Sequence, residues 1–267
     1  MKHWLILLFT LLGLQSAAVN ATNAFDHSAW DALLNQHVYL LRDGQASQVD
    51  YQGFADNQPK LAAYLQQLSQ VSVLEFDSWP KPDQLAFLIN AYNAWTVDLI
   101  LQKWPDLESI KDLGSLFRSP WGKAFIPLLG ETRSLDDIEH KLIRGSDRYQ
   151  DPRIHFAVNC ASVGCPALAN RAYQGDNLEA LLESQTRLFL ADRSRNRFNN
   201  DHLEISSIFK WYRKDFEKGW RGYFSLPDFL LHYAADLSLS TDVMKTLQAK
   251  PPDIEFLDYN WALNAKP

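Results

Sequence analysis

The stretch from Pro82 to Lys103 constrains this chain most. One side of it carries Leu85, Leu88, Ile89, Tyr92, Trp95, Leu99 and Ile100, and Ala86, Ala91, Ala94 and Val97 fill much of the rest. A helix apolar nearly all round offers no face to water and must be wrapped by other elements. Trp104-Pro105 ends it, because the residue before proline leaves the helical region. Asn90 and Asn93, three apart, share a face of this helix. A buried amide without partners costs roughly 1–3 kcal/mol, so both must either bond neighbouring backbone or line a site.

The wrapping elements follow from spacing. Trp30, Leu33, Leu34, His37 and Leu41 predict a helix over 25–41, Val49–Tyr51 a short strand, and Leu61, Tyr64, Leu65 and Leu68 a packing helix from Pro59 to Gln70. Ala124–Leu129 and Glu131–Arg133 are expected to pair about Gly130. Ser134 with Asp137 opens a helix through a box-like cap. On it Glu139 and His140 are adjacent, about 100° apart on an α-helix, so they are not expected to point the same way. Asp176 with Glu179 caps a further helix, and Asn199-Asn200-Asp201 joins strands at 197–198 and 202–205. Ser207 caps a helix in which Phe209, Tyr212 and Phe216 pack inward. Trp211 and Asp215 share another face of it and could border a pocket. Ser225 with Asp228 starts one more helix, and 254–263 is expected to be extended.

The second constraining feature is DPRIHFAVNCASVGCP, Asp151 to Pro166, which holds both cysteines. Ile154–Cys160 is rich in strand formers. Alternation then sets Arg153, His155 and Asn159 on one face and Cys160 on the other, so a His155–Cys160 pair needs a bulge or turn before Cys160. The cysteines admit a disulfide closing a small ring, a nucleophilic Cys160, or inert buried thiols. A metal site with His155 matches no usual zinc spacing.

Lys2 and His3 precede an apolar run from Trp4 to Leu12 and small residues up to Ala21, the layout of a secretory signal peptide over 1–21. The run is too short for a bilayer, which needs about 20 apolar residues. A periplasmic or secreted protein is expected, with no membrane association after signal cleavage and a single domain over 22–267. A net charge of -6 without a basic block argues against nucleic acid as a partner. No nucleotide or zinc-protease motif occurs, so no cofactor or metal is expected.

Several segments together resemble the family called domain of unknown function 547. They are AFLINAYNAWTV at 86–97, SLDDIEHKLIR at 134–144, DPRIHFAVNCASVGCPAL at 151–168, IFKWYRKDF at 208–216 and YNWALN at 259–264. The resemblance implies that these pieces belong to one domain and brings no established activity. In plant members the position matching Cys165 looks like serine while that matching Cys160 stays cysteine, which implies that a disulfide is not the family-wide role of Cys160.

The fold expected is α+β, a small mostly antiparallel sheet packed against many helices with the Pro82–Lys103 helix at its centre. The function expected is a cysteine-dependent hydrolase or acyltransferase acting on a peptide or glycan-peptide. Cys160 is its nucleophile, His155 or His140 its base and Glu139 or an asparagine the orienting group. Asn90, Asn93, Arg153, Asn159 and Trp211 are expected to contact substrate, with Arg153 clamping an anionic group. The alternative is a non-catalytic envelope binding or scaffolding domain with a Cys160–Cys165 disulfide. The order of the residues differs from papain-like enzymes, in which the cysteine precedes the histidine.

Overall fold

The computed structural model describes residues 24–115, 119–199, 202–249 and 253–267. The expected signal segment 1–21 lies outside them. The helices are α1 (Ser28–His37), α2 (Tyr51–Asp56), α3 (Gln58–Gln70), α4 (Val73–Ser78), α5 (Lys81–Leu101), α6 (Leu178–Ala191), α7 (Ile208–Trp211), α8 (Arg213–Phe216), α9 (Leu226–His232) and α10 (Thr241–Ala249). The strands are β1 (Val38–Leu41), β2 (Ala46–Val49), β3 (Ile126–Leu128), β4 (Glu131–Arg133), β5 (Asn196–Asn199), β6 (His202–Ser206) and β7 (Ile254–Leu257). The fold is α+β. Among the described residues its strands are divided among three small sheets, β1–β2, β3–β4 and β5–β6–β7, all antiparallel except the β6–β7 pair. Among the described residues no helix is long and apolar enough to cross a membrane.

Helix α5 is the expected central helix, buried from Gln84 to Ile100 except at Asp98. Pro82 stands in its first turn, where a missing N–H costs nothing. α2, α3, α6 and a π-helix at Asp137–Ile143 pack around it. Each fully buried Leu, Ile or Phe on it contributes about 1.5–3 kcal/mol. A second core gathers Phe156, Phe189, Phe209, Phe216 and Phe229 around β6, α7, α8 and α9.

Several local expectations are corrected. The first helix ends at His37, where β-branched Val38 turns extended and pairs with Val49. Tyr51 belongs to α2, which Asp50 caps by accepting the Gly53 N–H. At α6 the residue before the helix is Asn177, and Glu179 is drawn to Arg153 instead of reaching back to the cap. The helix after Ser207 breaks at Tyr212 into α7 and α8. The terminal strand stops at Leu257.

The largest correction falls on Ile154–Cys160, which is not a strand. Pro152–Phe156 forms a 3-10 turn, capped by the Asp151 carboxylate on the Arg153 N–H. Proline at the first position presets such a turn, and Asn93 of α5 replaces a neighbouring strand as hydrogen-bond partner. The Asn93 amide donates to the Ala157 carbonyl at 2.9 Å and accepts from the Asn159 N–H at 2.8 Å. Ile154 enters the first core and Phe156 the second, so the turn lies between them.

Candidate functional site

Between the two cores lies a cavity of about 200 Å³. Its walls include Glu139, His140, His155, Cys160 and Trp211, which lie far apart in sequence, together with Tyr92, Trp121, Tyr212, Tyr259 and Trp261.

The π-helix supplies the first wall. Ser134 and Asp137 cap the helical segment that leads into it, the Ser134 N–H reaching the Asp137 carboxylate at 2.8 Å and the Asp137 N–H the Ser134 hydroxyl at 3.0 Å. The Arg144 N–H then bonds the Glu139 carbonyl, five residues back. This wider turn corrects the expectation drawn from α-helical geometry, since Glu139 and His140 both face the cavity. His140 Nδ1 accepts from Arg144 Nη1 at 2.8 Å.

The 3-10 turn supplies His155, only 3% exposed. Its ring stacks on Tyr212 with centroids 3.9 Å apart, and its Nε2 lies 2.9 Å from Asp215 Oδ2. Asp215 also accepts from Arg144 Nε at 2.6 Å and pairs with Lys218 at 2.9 Å. Burial pushes the Asp215 carboxyl up, but bonds from His155, Arg144 and Lys218 outweigh it and hold that carboxyl far below the usual range. Burial lowers the His155 pKa, against the opposing pull of Asp215 and Glu139. A neutral imidazole that donates Nε2–H to a carboxylate keeps its lone pair on Nδ1. His155 Nδ1 is buried without a hydrogen-bond partner, as is Glu139 Oε1, 4.0 Å away.

The loop after the turn supplies the sulfurs. Cys160 and Cys165 are joined in a disulfide with Cα atoms 6.2 Å apart. Cys160 is partly exposed and Cys165 is 5% exposed. The Tyr259 hydroxyl sits 3.1 Å from Cys160 Sγ, 3.2 Å from Cys165 Sγ and 3.1 Å from Ser162 Oγ. Tyr259 lies flat on Gly164, where a Cβ would come within 2.9 Å of the ring. Backbone bonds Gly164 N–H to Asn260 O, Val163 N–H to Ala262 O and Asn264 N–H to Ala161 O tie the loop to the segment after β7. Among the described residues no imidazole nitrogen is hydrogen-bonded to Cys160 Sγ.

Trp211, 47% exposed, stacks on Trp261, which meets Trp121 edge-on. These three rings form an aromatic rim beside the sulfurs.

The other expected substrate contacts lie elsewhere. Asn90 is fully buried and spends its amide on Tyr173, donating to the carbonyl at 2.7 Å and accepting from the N–H at 3.1 Å. Asn93 is spent on the backbone in the same way, so both asparagines hold loops against α5 and neither lines the cavity. The Asn159 side chain donates to the Pro166 carbonyl and accepts from the Ala161 N–H, each at 2.8 Å, and so shapes the cysteine loop. It lines a neighbouring cavity of about 370 Å³ that shares Cys165, Pro166 and Tyr259 with the first. Arg153 is no anion clamp. It is 1% exposed and its guanidinium is saturated by Asp151, Glu179 and Glu183, with Trp220 beside it.

Asp215 was legible only as a neighbour of Trp211 at helical spacing. The part played by Tyr259 carried no local signal. Among the described residues, the side chains close enough together to hold a metal ion are His202, Glu204 and Glu255 on β6 and β7. Arg197 and Asn199 already engage Glu204, and none of the three lines the cavity.

A family model described as "Protein of unknown function, DUF547" matches residues 76–190, from α4 to the end of α6. That span holds α5, the π-helix, His155 and the cysteine loop. Trp211, Asp215 and Tyr259 lie beyond it. No curated protein and no solved structure matches the chain.

Proposed function

We propose, for a chain that belongs through residues 76–190 to the DUF547 family, that the cavity between its two cores performs cysteine-dependent hydrolysis or acyl transfer on a peptide or glycan-peptide. The bacterial envelope or the space outside the cell is the proposed setting. The observation that carries this reading is the convergence of Cys160, His155, His140, Glu139 and Trp211 on one cavity.

The roles follow from the atoms. With the disulfide opened, Cys160 Sγ attacks the acyl carbon and its thiol proton passes to His155 Nδ1, whose ring Asp215 orients through Nε2. The imidazolium gives that proton to the departing amine or alcohol as the scissile bond breaks. Water or a second nucleophile then releases the acyl group. His140 and Glu139 place further polar atoms beside the same space. The Trp211–Trp261 rim suits the apolar face of a sugar or a side chain.

The disulfide favours a second reading, a non-catalytic binding domain in which the same cavity holds its ligand without chemistry.

A thiol-directed acyl probe separates the two. Reduced protein is expected to label at Cys160 well below pH 8.5, where an ordinary thiol stays mostly protonated, and His155→Gln to slow labelling about 100-fold, the lower end of general-base effects. Labelling no faster than a free cysteine across pH 6–9 would leave the binding reading in its place.

A further inference from the structure

Hydrogen-bond donors around the sulfur pair favour one of the two cysteines. The Cys160 N–H points at Cys165 Sγ from 2.9 Å, the Tyr259 hydroxyl from 3.2 Å and the Ser162 hydroxyl from 3.4 Å. The two hydroxyls are also within reach of Cys160 Sγ, whereas the backbone donor serves Cys165 alone. Exposure runs the other way: both cysteines border the 200 Å³ cavity, but Cys160 is partly exposed while Cys165 is 5% exposed. In thiol–disulfide exchange the accessible sulfur is attacked, and the sulfur whose thiolate is better stabilised leaves faster. Hydrogen bonds to a thiolate stabilise its charged form.

We propose that Cys160–Cys165 is a reactive redox centre rather than a structural staple, exchanging with an external thiol that attacks Cys160 Sγ from the cavity while Cys165 departs as the thiolate. This inference goes beyond the acyl-transfer reading and does not depend on it. An external thiolate forms a bond to Cys160 Sγ as the Sγ–Sγ bond breaks, and the electron pair goes to Cys165 Sγ. With a dithiol as reductant, its second thiolate attacks its own sulfur in the mixed disulfide and expels Cys160 as a thiolate. The dithiol ends oxidised, and both cysteines end as thiols with the protons the dithiol gave up.

The surroundings keep the reduced loop in place. Asn159 holds the loop through Pro166 and Ala161, and three backbone bonds tie it to 260–264. A ring spanning five residues of sequence removes little entropy from the unfolded chain. The fold is therefore expected to survive reduction, with the two sulfurs still close enough to rejoin.

The test uses the full chain, with dithiothreitol as the dithiol and oxidised glutathione as the trapping disulfide. Air-oxidised protein, unfolded without reductant, is expected to show no free thiol, and the native disulfide to be reduced without unfolding. Cys165→Ser should form a glutathione adduct at Cys160 at least tenfold faster than Cys160→Ser forms one at Cys165. Tyr259→Phe should slow reduction of the wild-type disulfide about fivefold, the worth of one hydrogen bond. Two free thiols at the outset, reduction only after unfolding, or the faster adduct at Cys165 would each overturn the proposal. These readouts follow sulfur exchange alone, so acyl labelling can fail while they succeed, and the reverse.

Discussion

Arg153 and His155 stand two residues apart on one 3-10 turn, and both are almost wholly buried. Arg153 meets three carboxylates and has no donor left for a ligand. His155 meets one carboxylate through Nε2 and leaves Nδ1 unpartnered beside a cavity. The difference teaches that burial and charge do not mark a functional group. A charged group fully answered by its neighbours is a brace, whereas one atom left unanswered in a space large enough for a ligand is available for chemistry.

The largest effect expected is on the brace. Arg153→Met strands Asp151 without its cation and should destabilise by about 3 kcal/mol, the low end for a broken buried pair, because Glu179 can turn to solvent and Glu183 keeps Arg187. Denaturant midpoints check this. Lost ligand binding with unchanged stability would break the comparison. Asn93→Ala, which strands the Ala157 carbonyl and the Asn159 N–H, should cost about 2–3 kcal/mol by the same measurement.

Mild acid tests the other side of the comparison, because a guanidinium stays charged throughout. Burial lowers the pKa of His155, and it lowers that of His27 from 6.5 to about 3. A group with a depressed folded pKa contributes stability that is present above its unfolded pKa and is lost as pH falls towards the folded value. Below pH 6.5 the slope for His27 should therefore approach about 1.4 kcal/mol per pH unit, and His155 should contribute in the same direction. Unfolding titrations between pH 7 and 5 should become flatter in His27→Gln and again in His155→Gln. The smallest effect is expected from Trp211→Ala, which should change stability by no more than about 0.5 kcal/mol because nearly half of that side chain is exposed. A larger loss would show the aromatic rim to be part of the core.

Local chemistry made much of the fold legible. The apolar run of α5, the Ser134/Asp137 cap and the turn at Gly130 each declare themselves within a few residues. The candidate site was legible as residue types but not as geometry. Strand formers at 154–160 suggested alternation, yet the capping carboxylate of Asp151 and the Asn93 amide, 64 residues from Ala157, set a different backbone. The same limit hid the saturation of Arg153, because Glu179 and Glu183 reach it from another helix. Adjacent Glu139 and His140 were separated by α-helical geometry, and the π-turn brings them together.

The hydroxyl that touches both sulfurs comes from Tyr259, ninety-nine residues beyond Cys160. Contacts of such separation close only after the intervening chain has paid its loop entropy. The wall between the cavities waits for the segment after β7 to dock. The sulfur environment is therefore expected to become native only once the segment after β7 has docked, and the reactivity of Cys160 should report the completion of that step.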